Sequence, residues 1–271
     1  MALSLTTLRS HGSAWLAERM KVSALPAYSA RRRGGAVGPD RLVRLDALGP
    51  RGRLLLAVGG TLVLVFVALP LDSAFGAWLH DVAGPTTRVN RLLRLPNHLF
   101  RWWTVLGLIG LLLLQPQRVR LLVSGGGALV LCLAATHLCK FVVGRARPDS
   151  AAGLLHGPFY FQALGDPRAG LDSFPSGHAA LTVLLLLLLR AYLPATFPFL
   201  VLPAALACLS RVALARHYLS DVLAGAGLAV SVFYLVAWRT GGAGFVPLDL
   251  SGLHWRLRAA LPQAAGRPWS R

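Results

Sequence analysis

The chain alternates long apolar runs with short polar links. Six runs stand out, over residues 54–71, 99–114, 121–139, 179–193, 195–209 and 222–238. At about 1.5 Å per helical residue each covers most of a ~30 Å hydrocarbon core, and short polar extensions complete the span. The pattern predicts an all-α fold, a polytopic membrane protein built as a six-transmembrane-helix bundle. The second run carries Arg101 inside it, and the fifth carries Pro198 and Pro203. Prolines are tolerated in membrane helices where neighbours re-satisfy the freed backbone groups.

The runs divide the chain into three parts: a basic tail over 1–53, a membrane domain over 54–238 and a second basic tail over 239–271. The first tail lacks a continuous apolar core long enough for a secretory signal. It contains "ARRRGG" at 30–35, and its acids are Glu18, Asp40 and Asp46. Such a segment reads as a disordered cytosolic tail that touches anionic lipid. A transit peptide, or a true start at Met20, are the alternatives.

Composition agrees with this class. The 271 residues are 55% hydrophobic and 14% charged, with a mean hydropathy of +0.58, too apolar for a soluble domain of that length. The net charge of +18 suggests nucleic acid, but the cations are scattered over helix ends and tails. No basic stripe with interleaved aromatics occurs, so nucleic acid is not the expected partner. Cys132, Cys139 and Cys208 all fall in apolar runs and read as small buried hydrophobes. Nothing in the sequence speaks to oligomeric state.

Six spans place both tails on one face, together with the links near 115–120 and Arg190. The other face receives the links 72–98, 140–175 and 210–221. Lys and Arg number 18 on the tails' face against 10 on the other, Arg101 near the start of the second run included, so the positive-inside rule makes both termini cytoplasmic. Cations close to the membrane tie at 10 on each face, which implies that some on the second face have another task.

Three polar clusters fall on that second face, each where a helix enters or leaves the membrane: "KFVVGRARP" at 140–148, "FPSGHAA" at 174–180 and "SRVALARHYLSD" at 210–221. A charge at a helix centre costs on the order of 2.5–3.5 kcal/mol, and less near the interface. One Arg at a helix end is usually a snorkelling anchor, and one His is usually satisfied by a backbone carbonyl. Three clusters on one face are harder to explain that way.

Together they supply a site for a phosphate-like group. Lys140, Arg147 and Arg211 give a point charge and two planar forks for anionic oxygens. Ser176 is a favoured helix cap, and Gly177 lets backbone N–H groups approach an anion at a helix N-terminus. His217 and Asp221 are four apart and share a face if the last helix begins that early. A carboxylate on one imidazole nitrogen leaves the other as a nucleophile aimed at phosphorus. His178 can then protonate the leaving oxygen and later activate water. The three cations meet the charge that develops on the equatorial oxygens.

Two His and an Asp can bind a metal, but three fixed positive charges would repel a divalent ion, so neither metal nor cofactor is expected. The spacing C-x5-R from Cys139 to Arg145 matches thiolate phosphatases, yet Cys139 ends an apolar helix where that chemistry wants a glycine-rich cradle opening one. Arg145, Arg168 and Arg216 either contact a second phosphate or serve structural and solvated roles. "GPFYF" at 157–161 either lines a lipid entrance or forms an interfacial belt.

At these residues the sequence resembles the type 2 phosphatidic acid phosphatase superfamily. Its first motif, K-x6-R-P, is matched by Lys140, Arg147 and Pro148; its second, P-S-G-H, by Pro175, Ser176, Gly177 and His178; its third, S-R-x5-H-x3-D, by Ser210, Arg211, His217 and Asp221. The resemblance implies a metal-independent lipid phosphatase that forms a phosphohistidine on His217, with His178 as acid and base. It implies an active site on the outer face of a bacterial plasma membrane. Prenyl diphosphate, phosphatidylglycerophosphate, phosphatidate and lipid A phosphate are all possible substrates. A lipid phosphotransferase using the same intermediate is the first alternative, and a non-catalytic anion-binding or transport protein the second. Deep ionisable groups would favour the latter, and the runs are nearly empty of them apart from His137 and Arg101.

Overall fold

The computed structural model describes residues 48–83, 88–89, 104–113, 118–241 and 245. Most of both basic tails, Met20, and the start of the second run with Arg101 lie outside the described residues.

Each apolar run corresponds to a helix. The first, α1 (Pro50–Ala68), opens with proline in its first turn, where the missing N–H costs no hydrogen bond. A 3₁₀ turn at Leu69–Leu71 containing Pro70 links it to α2 (Asp72–Ala83). Of the second run, α3 (Thr104–Leu113) is described. The others are α4 (Arg118–Val143), α6 (Gly177–Tyr192), α7 (Phe197–Ala213) and α8 (Leu219–Arg239), with a short α5 (Ala151–His156) in the link after α4. The sequence did not anticipate α5, which is capped by the Ser150 hydroxyl. Pro203 lies inside α7 without ending it.

Among the described residues there is no strand, only an isolated bridge between Arg145 and Phe161. Four segments of the described residues are long and apolar enough to cross a membrane: Pro50–Ala83, Leu121–Val143, Pro194–Ala213 and Leu219–Arg239; the shorter Gly177–Tyr192 is also apolar. Their outer surfaces are greasy, with Leu55 73% and Phe66 77% exposed, which suits hydrocarbon as solvent and not water.

Helix α6 holds the centre. Leu184, Leu185 and Leu188 are fully buried in a core shared with Leu121, Ala128 and Cys132 of α4 and Ala229 and Val232 of α8. A second core joins Leu79 and Ala83 of α2, Ala179 of α6, Cys208 and Val212 of α7 and Val222 of α8. Cys132 and Cys208 are buried and Cys139 is partly so, and all three are free thiols. Helix α1 lies along α8, where the approach at Gly227 is so close that a Cβ would sit 2.0 Å from Thr61 Oγ1.

That contact yields a paired prediction. Gly227→Ala is expected to cost about 1–3 kcal/mol by overpacking. Gly126→Ala, in α4 with nothing within 4 Å of its added Cβ, is expected to change little. Thermal unfolding of the two variants in detergent checks the difference.

Candidate active site

Lys140 stands in the last turn of α4. The helix stops because Gly144 takes φ +58°, a left-handed conformation that a side chain would strain, and its N–H returns to the Lys140 carbonyl at 2.9 Å. The next residues run extended between two neighbouring segments. On one side Ala146 N–H donates to Tyr160 O (3.1 Å) and Gln162 N–H to Gly144 O (2.9 Å). On the other, Arg147 N–H donates to Gly170 O and Ser173 N–H to Arg145 O, both at 2.9 Å. The motif is thereby clamped from both sides, and its alternate side chains point opposite ways.

Arg145 points inward and is fully buried. Its Nη2 donates to Asp72 Oδ2 (2.7 Å), its Nη1 to Asp221 Oδ1 and Ser220 Oγ (both 2.6 Å), and its Nε to Pro158 O (2.9 Å). The guanidinium lies 4.3 Å from the centre of the Tyr218 ring and 5.3 Å from that of Phe161. Arg145 is therefore a structural cation that binds two carboxylates, not a second phosphate contact. Arg216 is likewise engaged by Asp149, at 2.9 Å. Neither Asp72 nor Ser220 was expected from the sequence. Asp72 opens α2, receives Ser220 N–H at 2.9 Å and so ties α2 to the start of α8.

Arg147 points into the site. Its Nε and Nη2 fork onto Asp172 Oδ1 and Oδ2 at 2.6 and 2.8 Å. Lys140 donates to the Asp172 carbonyl and lies 3.5 Å from Oδ2. Hydrogen bonding to Asp172 raises the Arg147 pKa. Burial works to raise that of Asp172, but the hydrogen bond from Arg147 and the charges of Lys140 and Arg147 prevail and hold its carboxyl below the usual range. The sequence reading missed Asp172, although it stands just before "SFPSGH".

Ser176 caps α6, its hydroxyl accepting from Ala179 N–H at 3.4 Å while its own N–H donates to Asp221 O at 2.9 Å. Gly225 of α8 makes this junction possible, since a Cβ there would lie 2.3 Å from the Ser176 carbonyl. Gly177 and His178 follow and face the cavity described below.

Arg211 is in the last turn of α7. The chain then folds back through Ala215, at φ +53°, so that Arg216 N–H and His217 N–H both donate to the Arg211 carbonyl (3.0 and 3.2 Å). This turn explains the five-residue spacing, because it returns the imidazole to the helix end that carries Arg211. Helix α8 begins only at Leu219, after His217. The direct carboxylate–imidazole hydrogen bond expected from the spacing is not formed: His217 Nδ1 and Asp221 Oδ2 are 3.9 Å apart. Instead Nδ1 lies 2.9 Å from the Ser173 carbonyl, while Asp221 Oδ2 accepts from Ser173 Oγ (2.6 Å) and Tyr218 N–H (2.9 Å). A carbonyl only accepts, so Nδ1 carries the proton and Nε2 the lone pair. Burial, then the cations Lys140, Arg211 and Arg147, push the His217 pKa well below its usual value, so the ring is neutral.

These side chains meet at one cavity of about 560 Å³. Lys140, Arg147, Asp172, Gly177, His178, Arg211 and His217 line its polar part, and Leu133, Phe141 and Leu181 an apolar part. Of the residues singled out in the sequence, Ser176 and Asp221 stand behind this wall, as cap and as support. No group of three or more His, Cys, Asp or Glu placed to hold a metal occurs among the described residues.

Comparison with known proteins bears on the family of the chain. The family model for the PAP2 superfamily matches residues 121–243. A decaprenylphosphoryl-5-phosphoribose phosphatase of Mycobacterium tuberculosis, in strains CDC 1551 / Oshkosh and ATCC 25618 / H37Rv, is 34% identical over 140 residues, covering 52% of this chain and 72% of that relative. A transmembrane PAP2-type phosphatidylglycerolphosphate phosphatase from Bacillus subtilis is 21% identical with a TM-score of 0.47, over 70% of this chain and 97% of the other. With its apolar helices and its motif-bearing cavity, the chain belongs to the PAP2 superfamily and is a multi-pass membrane protein of the lipid phosphatase class.

Proposed function

We propose that the chain hydrolyses a phosphomonoester carried on a membrane lipid, without a metal, through a phosphohistidine on His217. The hydrogen bond between His217 Nδ1 and the Ser173 carbonyl carries this reading, because it holds the proton of the neutral ring on Nδ1 and aims the Nε2 lone pair to attack. Lys140, Arg147 and Arg211 line the same cavity and suit the equatorial oxygens of the transferring group.

In the first step Nε2 bonds to phosphorus while the P–O bond to the lipid breaks, and His178 gives its proton to the departing oxygen. Nδ1 keeps its proton, so the phosphorylated ring is cationic. The Asp221 carboxylate, 3.9 Å away, offsets that charge. Water then gives a proton to His178 and attacks phosphorus, the P–N bond breaks, and phosphate leaves. Both histidines are restored.

The substrate class is a polyprenyl phosphate that bears a phosphorylated headgroup. Support comes from the activity named for the mycobacterial relatives and from a cavity with an apolar portion beyond its cationic wall. The site faces the outside of a bacterial plasma membrane, with both termini cytoplasmic. The excess of Lys and Arg on the tails' face supports that orientation.

Phosphate release from a panel of lipid phosphates in detergent, with chelator present, tests the reading. Release should persist with chelator and fall by at least roughly 10³-fold in His217→Ala. Labelled phosphate appearing on lipid and not in solution would make the protein a phosphotransferase. Arg147→Lys and Arg211→Lys keep the charge but lose the fork, so each should lower kcat by roughly 10²-fold with the fold retained. Wild-type rates from either variant would make that residue a mere anchor.

Arg145→Met should destabilise the protein by about 3–5 kcal/mol, since it leaves two buried carboxylates unpaired. Adding Asp72→Asn should recover part of that loss, and thermal unfolding of the single and double variants measures the coupling.

A further inference from the structure

Asp172 is an acid placed among groups that must bind an anion. Its backbone is fixed by hydrogen bonds at both neighbours: Leu171 N–H donates to Asp166 O at 3.2 Å and Ser173 N–H to Arg145 O at 2.9 Å. Its side chain reaches the same cavity wall as His178 and His217. There its two oxygens sit on the Arg147 fork at 2.6 and 2.8 Å, with Lys140 3.5 Å away. A phosphate bound by a guanidinium places two oxygens in the same way. Two of the cations lining the cavity are therefore already occupied by a carboxylate. A dianionic phosphate arriving at Arg147 would face that carboxylate at close range, and both cannot use the fork together.

Resting on the phosphate-site reading above, we propose that Asp172 is a resident anion that a substrate phosphate must displace from Arg147, so that the empty site rejects free phosphate and admits phosphate carried on a lipid. Displacement costs the same for either ligand. A lipid brings its apolar tail, whose burial offsets the cost, whereas inorganic phosphate has only the cation contacts. After hydrolysis the product is of the second kind, and the returning carboxylate helps to expel it. An ion pair that merely holds Arg147 in place predicts the opposite effect of removing Asp172: phosphate would bind more weakly.

The test is binding of inorganic phosphate to the full-length protein in detergent, by ³¹P NMR, alongside its inhibition of lipid phosphate hydrolysis. Asp172→Asn keeps the shape and removes the charge, and Asp172→Ser removes the reach as well. Each is expected to bind phosphate at least about tenfold more tightly than the wild type and to lower KM for the lipid substrate. Unchanged or weaker phosphate binding in both variants would overturn the proposal. The wild type supplies a check that needs no variant, since its inhibition constant for phosphate should lie well above its KM for the lipid, and a value at or below KM would overturn the idea. A wild type that hydrolyses lipid phosphate while failing these comparisons sinks only the role of Asp172. One that hydrolyses no lipid phosphate sinks the phosphatase reading itself.

Discussion

The site depends on one buried ion pair network. Arg145 is removed from solvent with Asp72 and Asp221, and the three come from α2, the segment after α4, and α8. Charges taken out of water cost several kcal/mol each unless paired and fully hydrogen-bonded. Here the guanidinium donates four hydrogen bonds, two to carboxylates, one to a serine and one to a carbonyl. Satisfying all three charges in this way brings those segments together at one end of the bundle. With the first turn of α8 fixed, its Asp221 carbonyl takes Ser176 N–H, and so α6 and its histidine are placed as well.

Ser173 relays this order to His217, the proposed nucleophile. Its hydroxyl is held by Asp221 and its carbonyl faces His217 Nδ1, so one residue connects the buried carboxylate to the imidazole through its side chain and its backbone. The carboxylate therefore acts at second hand, by fixing Ser173 and by its field at 3.9 Å. A direct hydrogen bond would make the ring more basic in the resting state. With Asp221 held on Arg145 and Ser173, burial and the cations keep the resting imidazole neutral, and in the proposed mechanism the negative charge is still near when the ring becomes cationic.

Much of this was legible in the sequence because motif spacing is a statement about local structure. K-x6-R-P spans one helix end and the extended segment after it, P-S-G-H is a cap, and the five residues between Arg211 and His217 are one tight turn. The six apolar runs mapped onto helices for the same reason, since length and hydropathy are local properties. Long-range pairs left no such mark. Asp72 meets Arg145 across 73 residues, and its environment in the sequence is only the end of an apolar run. Ser173 reaches His217 through a backbone carbonyl, which every residue possesses, so that contact leaves no mark in the sequence. The expected His217–Asp221 hydrogen bond failed because it assumed a helix that starts two residues too soon.

The charge balance of the empty site follows from where it lies. Lys140, Arg145, Arg147 and Arg211 are placed beside Asp72, Asp172 and Asp221, four cations against three carboxylates. A bare cluster of four cations at the end of an apolar bundle would repel itself strongly at low dielectric. Near-neutrality makes such a cluster tolerable before a ligand arrives. Two of the carboxylates are fully buried and belong to the frame, whereas Asp172 is partly exposed on the cavity wall. It is therefore the one that the proposal displaces when an incoming anion takes over the same cations. On the proposed reading, a site built to bind phosphate at a membrane surface needs an internal anion for its own stability, and the anion that stabilises the empty site is also the one that phosphate has to replace.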